Sequence, residues 1–252
     1  MAELAFGVDI GGSGVKGAPV DLVTGECTAE RVRIPTPQPS TPKAVAKTVA
    51  QVLAEFGDAA AGLAVGITVP CVVTHGITRS AANIDKKWID YAAADVLADI
   101  LGRPITLMND ADAAGLAEVY YGAAQGQAGL VIVTTLGTGI GTAMIYDGVL
   151  IPNSELGHLE IDGFDAEKRA AASARTEEDL NWNTYIKRLQ RYYEVLEALF
   201  TPDLFVVGGG ISRNSEKFLP FLRLRAPIVP AKLRNQAGIV GAARFAHEQK
   251  TV

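Results

Sequence analysis

GVDIGGSGVK, residues 7–16, is the stretch that decides the fold, and VTTLGTGIGT, residues 133–142, is a weaker copy of it in the second half of the chain. In each, a short apolar run typical of a buried strand leads into a glycine-rich turn, and β-branched residues then favour a second strand. Turns of this kind can direct backbone N–H groups at phosphate oxygens. The repeat predicts an α/β protein of two lobes, each opening with the same strand–turn–strand unit, with a central cleft between them.

The boundaries of the lobes follow from the point at which the pattern restarts. We expect an N-terminal α/β lobe over residues 1–109 and a C-terminal α/β lobe over residues 110–238. A last helix, at about residues 239–252, is expected to pack back on the first lobe. Strand patterns cover residues 26–34, and apolar residues at helical spacing predict one long helix over residues 177–199.

Three glycine turns, at residues 11–14, 137–141 and 208–210, require an explanation. Residues 12–17 match the dinucleotide-binding pattern G-x-G-x-x-G, but Pro19 and its β-branched neighbours favour a strand where that fold needs a helix. A P-loop is excluded because no G-K-[ST] occurs. The turns are therefore either tight hairpins that need glycine for positive φ, or phosphate-binding turns beside which Asp9 holds Mg²⁺. Three such turns in one chain favour phosphate binding.

Composition and charge exclude several classes of protein. The 252 residues are 48% hydrophobic and carry a net charge of −5, which argues against disorder and against a dedicated nucleic-acid-binding protein. The 2 cysteines form neither a disulfide framework nor a four-cysteine zinc site. The N-terminus lacks a signal-peptide pattern, and glycine and proline interrupt the longest uncharged stretch, residues 59–78. We expect a cytoplasmic protein with no membrane segment and no nucleic-acid partner.

Two groups of polar residues are candidates for chemistry. Asn109 and Asp110 stand where a strand gives way to a helix, so they are either an N-cap or the site of a general base. Glu155, His158 and Glu160 place two acids and a histidine within one short segment. Such a group can hydrogen-bond sugar hydroxyls, bind a metal, or belong to a solvated loop. Spacing alone leaves these alternatives open.

Positive charge is concentrated between residues 211 and 235, where basic side chains are accompanied by a single acid, Glu216. This excess predicts either a solvated basic face or an electrostatic track for a long polyanion. The basic residues are Arg213, Lys217, Arg223, Arg225, Lys232 and Arg234.

Together these motifs resemble the ROK family of sugar kinases, which belongs to the actin/hexokinase superfamily and has a ribonuclease H-like fold. DIGGSGVK at residues 9–16 resembles its first phosphate motif, with Ser13 where the family usually has Thr. LGTGIG at residues 136–141 resembles its second phosphate motif, and VGGGI at residues 207–211 its adenosine-side turn. Asn109 and Asp110 resemble its sugar-binding Asn and catalytic Asp, and ELGH at residues 155–158 its sugar-binding signature.

A narrower resemblance covers nearly the whole chain. The segments at residues 36–39, 81–88, 109–118, 157–161 and 235–243 are similar to those of bacterial polyphosphate glucokinases and polyphosphate/ATP glucomannokinases. This resemblance implies phosphoryl transfer from inorganic polyphosphate, ATP or both to the 6-hydroxyl of glucose, and of mannose as a second acceptor. It also implies a homodimer.

The resemblance assigns roles to individual residues. Asp110 would be the general base, and Asp9 would position Mg²⁺. The expected sugar ligands are Asn83, Asn109, Asp110, Glu155, His158 and Glu160. The expected phosphate-binding residues are Asp9, Gly11, Gly12, Ser13, Gly14, Lys16, Gly137, Thr138, Gly139, Gly209 and Gly210. The basic residues of the 211–235 segment, with Lys16, Lys86 and Lys87, would form a polyphosphate track.

Two departures from the family pattern stand out. Most ROK kinases carry a C-x-C-G-x-x-G-C-x-E zinc loop after the signature histidine, whereas no cysteine follows His158 here. Structural zinc is therefore not expected, and Glu160 is the substitute for the glutamate of that loop. In addition, Cys71 follows Pro70 where the family usually has glycine near the sugar, so a side chain there could crowd the loop.

Three other functions remain as alternatives. One is an ATP-only ROK glucokinase or another hexose kinase. A second is a sugar-sensing repressor, which would need a DNA-binding module ahead of the first strand at Leu4. A third is a non-catalytic sugar-binding protein, which would require that Asp110 is only a helix cap.

Overall fold

The computed structural model describes residues 3–250. Residues 1–2 and 251–252 lie outside this range, and with them the last two residues of the predicted C-terminal helix. The strands are β1 (Leu4–Gly11), β2 (Gly14–Asp21), β3 (Glu26–Cys27), β4 (Val32–Ile34), β5 (Ala64–Val69), β6 (Val73–Thr74), β7 (Ile77–Thr78), β8 (Thr106–Asn109), β9 (Leu130–Leu136), β10 (Ile140–Tyr146), β11 (Val149–Ile151), β12 (Glu160–Ile161), β13 (Phe164–Asp165), β14 (Leu204–Gly208) and β15 (Ile228–Pro230). The α-helices are α1 (Pro42–Ala54), α2 (Ala93–Leu101), α3 (Asp110–Tyr121), α4 (Ala166–Ala170), α5 (Ala172–Glu177), α6 (Trp182–Phe200) and α7 (Ala237–Lys250).

The described residues form two compact units. The first contains those up to Ala117 and those from Gln236 onwards, and the second runs from Glu118 to Asn235. The sheet of the first unit has the order β3-β2-β1-β5-β8, with β4 also paired to β2. Strands β1 and β2 form an antiparallel hairpin, whereas β1, β5 and β8 are parallel. Phe6 and Trp88 are fully buried in the core of this unit.

Helix α7 lies directly on the backbone of the first sheet because two glycines leave no side chain in between. A Cβ atom on Gly7 would overlap the carbonyl oxygen of Ile239, and one on Gly66 would overlap that of Ala242. Ile239 and Ala242 are themselves fully buried. Apolar surface removed from water contributes about 25 cal/mol per Å², so this close contact helps to hold the C-terminal helix in the first unit.

The second unit has the same strand plan. Its sheet has the order β11-β10-β9-β14-β15, in which β9 and β10 form an antiparallel hairpin and β14 runs parallel to β9. Helix α6 buries Tyr185, Leu189 and Tyr193 in the core of this unit. The Tyr193 hydroxyl lies 2.7 Å from that of Thr134 on β9, so the buried phenol is not left without a partner. The shared plan is the structural counterpart of the sequence repeat.

Two predicted elements differ from the structure. The strand pattern over residues 26–34 forms two short strands, β3 and β4, rather than one. The long helix predicted over residues 177–199 is wrong at its start, because α5 ends at Glu177 and α6 begins only at Trp182. Asn181 accounts for the break: its side chain accepts the Thr184 N–H at 3.0 Å, and asparagine favours this capping position over a helix interior.

None of the helices found across residues 3–250 has both the length and the apolar character of a membrane span.

Candidate functional site

The first glycine turn closes the β1–β2 hairpin at residues 11–14. The Thr36 hydroxyl donates a hydrogen bond to the Gly11 carbonyl at 2.5 Å, and the Arg33 guanidinium donates one to the Ser13 carbonyl at 2.8 Å. Arg33 reaches the turn because it lies opposite Lys16 in the β2–β4 register. The turn is therefore held by side chains outside it, and a cation lies beside its backbone.

In the first two glycine turns, glycine allows side chains to lie close to the backbone and does not provide a positive φ. Among the described residues of the turns at 11–14, 137–141 and 208–210, a positive φ occurs at Gly209 alone, at 78°. A Cβ atom on Gly14 would lie 2.7 Å from Nε of Arg33, and one on Gly139 would overlap the Glu167 carboxylate. A need for positive φ therefore does not explain the first two turns, where charged side chains pack directly on glycine backbone.

Asp9 lies next to the first turn with both carboxylate oxygens engaged. Oδ2 is 3.1 Å from Nζ of Lys16, and Oδ1 accepts a hydrogen bond from the Thr68 hydroxyl at 3.1 Å. Gly238 leaves space on another side, because a Cβ there would lie only 3.0 Å from Cγ of Asp9. Each carboxylate oxygen can accept more than one partner. The donor set therefore fits Mg²⁺, which in proteins is commonly held by one or two carboxylates together with water.

The N-cap of α3 is Asn109 and not Asp110. The Asn109 side-chain oxygen accepts the N–H groups of Ala111 at 2.8 Å and Asp112 at 3.1 Å, and its amide donates to the Cys71 carbonyl at 3.1 Å. Asn109 is 7% exposed, whereas Asp110 is partly exposed, with Oδ1 2.9 Å from the Ala111 nitrogen. The capping interpretation therefore applies to Asn109, and the cap does not depend on the Asp110 carboxylate.

Asn83 and Cys71 also lie in the first unit. Asn83 is exposed, and its carbonyl oxygen would be 3.5 Å from a Cβ on Gly12, so its loop borders the first glycine turn. Cys71 has its side chain in the hydrophobic core, where it is 2% exposed, and presents its carbonyl to Asn109. The core therefore accommodates the departure from glycine at this position.

The second unit brings two glycine turns side by side. Strands β9 and β14 are neighbours, and a Cβ on Gly209 would overlap the backbone of Leu136. The second turn is closed by a 3.0 Å bond from the Gly137 N–H to the Gly139 carbonyl. The Ser173 N–H donates to the Gly137 carbonyl, also at 3.0 Å. Gly209 therefore lies against the backbone of Leu136, immediately before the second glycine turn.

His158 lies between two acids of the same unit. Its Nδ1 is 3.1 Å from Oδ2 of Asp165, and its Nε2 is 3.8 Å from Oε2 of Glu155. The hydrogen bond to Asp165 raises the pKa of His158, and burial raises the pKa of Glu155. The stability that protonated His158 contributes is present below its unfolded pKa and is lost as the pH rises through the folded pKa. Glu160 is exposed on β12, opposite Asp165 in the hairpin register.

Glu167 connects this histidine with the second glycine turn. Its Oε2 accepts the Ile140 N–H at 3.2 Å, directly beside Gly139. Glu167, His158 and Asp165 offer three ligand atoms within 4.8 Å of one another, a spacing that a divalent cation could also use. The direct hydrogen bond between His158 and Asp165 accounts for this proximity without an ion. The structure therefore places the Glu167 carboxylate between His158 and the second glycine turn.

The basic side chains of residues 211–235 are exposed but have different surroundings. Arg225 pairs with Glu197 at 3.4 Å, and the same carboxylate accepts the N–H groups of Arg225 and Ala226 at 2.8 Å each. Lys217 lies 5.7 Å from the ring centroid of Trp182. The remaining four are Arg213, Arg223, Lys232 and Arg234. Arg225 therefore has a structural role in addition to its charge.

Three residues of the candidate site were not found by inspection of the sequence. Asp165 and Glu167 form the acids of a D-A-E helix start shortly after His158, which is a detectable N-cap signal. No local pattern in the sequence indicates Arg33, because its contact with the first turn depends on its cross-strand pairing with Lys16.

The chain is similar to proteins of known activity. A sequence model described as the ROK family matches residues 5–176. Polyphosphate glucokinase of Mycobacterium tuberculosis (strain ATCC 25618 / H37Rv) is 52% identical over 239 residues, which are 94% of this chain and 89% of that protein. Polyphosphate glucokinase of Mycobacterium leprae (strain TN) is 49% identical over 94% of this chain and 73% of that protein.

A solved structure agrees with these relatives. The inorganic polyphosphate/ATP-glucomannokinase from Arthrobacter sp. strain KM superposes with a TM-score of 0.92 and 55% identity, covering 98% of this chain and 99% of that one. The similarity therefore extends over the whole fold and not only over the glycine motifs.

Proposed function

The chain belongs to the ROK family, and from this premise we propose that it transfers a phosphoryl group from inorganic polyphosphate or ATP to the 6-hydroxyl of glucose, with mannose as a second acceptor. The observation that carries the proposal is 52% identity with a polyphosphate glucokinase over 94% of this chain. The structural relative is a polyphosphate/ATP-glucomannokinase, which supports ATP as a second donor and mannose as a second acceptor.

Asp110 is the general base of this reaction. Its carboxylate accepts the proton of the sugar hydroxyl as that oxygen attacks the terminal phosphorus, which is the usual role of an aspartate base in kinase chemistry. The bond from that phosphorus to its bridging oxygen breaks at the same time, and ADP or a polyphosphate shorter by one phosphate leaves. Because Asn109 caps α3, Asp110 is not required for that purpose. Asp110 lies in the first turn of α3, where the helix dipole interacts favourably with negative charge.

The sugar hydroxyls are bound by amides, acids and one imidazole. The proposed ligands, which the resemblance to the ROK family implies, are Asn83, Asn109, Glu155 and His158. To these we add Glu167 in place of Glu160, because the Glu167 carboxylate lies within 4.8 Å of the ligand atoms of His158 and Asp165, a group that does not include Glu160. Hydrogen bonds from sugar hydroxyls to charged groups contribute about 1.5–3 kcal/mol each and hold the reacting hydroxyl in position.

The glycine turns bind the donor. Backbone N–H groups at residues 11–14, 138–139 and 209–210 donate to phosphate oxygens and stabilise the charge spread over them in the transition state. Lys16 and Arg33 place cations beside the first of these turns. Mg²⁺ held by Asp9 through water would neutralise phosphate charge.

A polyphosphate chain is longer than ATP and needs further cations. We assign this role to the exposed basic residues of the 211–235 segment, of which Arg223 is the cleanest probe. Its backbone is held by Gln190, with bonds of 2.7 and 2.8 Å, so its side chain can be changed without loosening the loop. Arg225 is a poorer probe because its reversal would place an acid against Glu197.

The test is the initial rate of glucose 6-phosphate formation with Mg²⁺, measured in parallel with polyphosphate and with ATP. The Asp110→Asn variant, purified in the same way, controls for contaminating kinases. Turnover with both donors, abolished in the variant, is the expected result. Activity with ATP alone would leave an ATP-dependent ROK glucokinase, and absence of product with either donor would overturn the assignment of glucose as acceptor.

A further inference from the structure

The carboxylate of Asp165 makes two contacts of different kinds. Its Oδ1 accepts the Glu167 N–H at 3.1 Å, which caps the short helix α4. Its Oδ2 lies 3.1 Å from Nδ1 of His158. Each oxygen therefore has its own partner, and the backbone that Asp165 caps fixes the direction from which the carboxylate approaches the imidazole.

The short β12–β13 hairpin builds this contact. Glu160 pairs with Asp165 across the hairpin, and the Ala166 N–H donates to the Leu159 carbonyl at 2.9 Å. His158 directly precedes the paired segment, so the hairpin returns the chain to the histidine within seven residues. The distance between the two side chains is therefore set by backbone hydrogen bonds and does not depend on a flexible loop.

The contact determines which ring nitrogen carries a proton in the neutral imidazole. An ionised carboxylate only accepts hydrogen bonds, so Nδ1 must be the donor and Nε2 retains the lone pair. Nε2 lies 3.8 Å from Oε2 of Glu155, which is beyond hydrogen-bond distance. The His158 side chain is 49% exposed. Nδ1 therefore donates its hydrogen bond to Asp165, and Nε2 is left to accept one from a ligand.

We propose that Asp165 is a positioning residue of the sugar site, which holds Nδ1 of His158 and thereby leaves Nε2 as the nitrogen that meets a sugar hydroxyl. The inference rests on the proposed function, because it requires that His158 binds the acceptor sugar. Glu155 and Glu167 are the other titratable groups that act on this ring. Neither provides the 3.1 Å contact with Nδ1 that Asp165 makes.

A purely structural role as the cap of α4 can be separated from the positioning role by choice of variant. Asparagine is as good an N-cap as aspartate, so Asp165→Asn keeps the bond to the Glu167 N–H through its amide oxygen. Its NH₂ group can only donate, however, and so favours the opposite tautomer of His158. Asp165→Ala removes both contacts. Asp162→Asn is the matched control, because Asp162 lies in the same hairpin but pairs with Arg191 on the surface.

The experiment measures, for the full-length wild type and these variants, the KM for glucose, the KM for polyphosphate and the melting temperature. Nitrogen-15 NMR of the imidazole, assigned with His158→Gln, reports the tautomer. In Asp165→Asn we expect the KM for glucose to rise about tenfold, the upper end of the value of one lost hydrogen bond between uncharged groups, with the KM for polyphosphate and the melting temperature unchanged. The His158 proton should move from Nδ1 to Nε2, and the control should behave as the wild type.

An unchanged KM for glucose in Asp165→Asn, within about twofold, would overturn the positioning role, whether or not the tautomer moves. A rise in KM that appears only in Asp165→Ala, together with a lower melting temperature, would also overturn it and leave Asp165 as a cap. Failure of the proposed function gives a different pattern, in which the wild type itself forms no glucose 6-phosphate. In that case the nitrogen-15 resonances of His158 are measured with and without glucose. A shift in the wild type but not in Asp165→Asn supports the positioning role. No shift in either protein overturns it.

Discussion

The substitution Asp110→Asn tests whether the residue at the start of α3 is a base or a cap. The structure predicts that the variant folds as the wild type does. Both capping bonds of α3 come from the Asn109 side chain, at 2.8 and 3.1 Å, and an amide oxygen at position 110 can replace the 2.9 Å contact with the Ala111 N–H. We therefore expect the melting temperature to change by no more than about 2 °C, the effect of about 0.5 kcal/mol in a chain of this size.

The catalytic effect should be large by comparison. An amide cannot accept the hydroxyl proton, and loss of a general base slows turnover by roughly 10²–10⁴-fold, or about 2.7–5.4 kcal/mol of barrier. Glucose binding, followed by calorimetry, should stay within about threefold of the wild type, because the proposed sugar-binding residues other than Asp110 are intact. Initial rates with saturating glucose and each donor give kcat directly.

Asn109→Ala is the matched comparison at the neighbouring position. It removes the two capping bonds and the bond to the Cys71 carbonyl, at about 1 kcal/mol each, so unfolding should become about 3 kcal/mol easier and the melting temperature should fall by roughly 6–12 °C. If Asp110→Asn retained kcat within tenfold of the wild type, the assignment of the base would be refuted. If instead it lost as much stability as Asn109→Ala, the assignment of the cap would be refuted.

Three further predictions concern the donor, the sugar and the fold. Arg223→Glu should raise the KM for polyphosphate at least about threefold in low salt and leave that for ATP nearly unchanged, and equal changes with both donors would contradict the track. Glu167→Gln should raise the KM for glucose about tenfold whereas Glu160→Gln should change it less than about twofold; the reverse order in the same assay would restore Glu160 as the sugar ligand. Gly66→Ala should destabilise the protein by about 3 kcal/mol in urea unfolding, because its Cβ would overlap the Ala242 carbonyl, and wild-type stability would show that α7 can move away.

Much of the fold could be predicted because it depends on local pattern. Apolar strands, glycine turns and helical spacing are readable along the chain, and they predict an α/β protein. The actin/hexokinase-like class, which the resemblance to the ROK family implied, is confirmed by the structural relatives. The break before α6 was missed because Asn181 acts through a hydrogen bond to the Thr184 N–H, whereas its surroundings in sequence look helical. The prediction of one strand over residues 26–34 was wrong because strand length depends on pairing with the neighbouring strand, and only residues 26–27 and 32–34 pair with β2.

The sequence by itself determined the strand–turn–strand repeat, the position of Asn109 and Asp110 at a strand end, and the grouping of Glu155 and His158 in one short segment. These follow from backbone preferences and side-chain chemistry that act over a few residues, so they are visible without a structure.

Only the tertiary structure decided which contacts those residues make. It assigned the cap to Asn109, placed Asp165 and Glu167 beside His158, and engaged Arg225 with Glu197. Each of these outcomes depends on a distance between side chains, and such distances arise from strand register and helix placement. The sequence contains the residues that make these contacts, but the distances between their side chains are set only when the backbone folds.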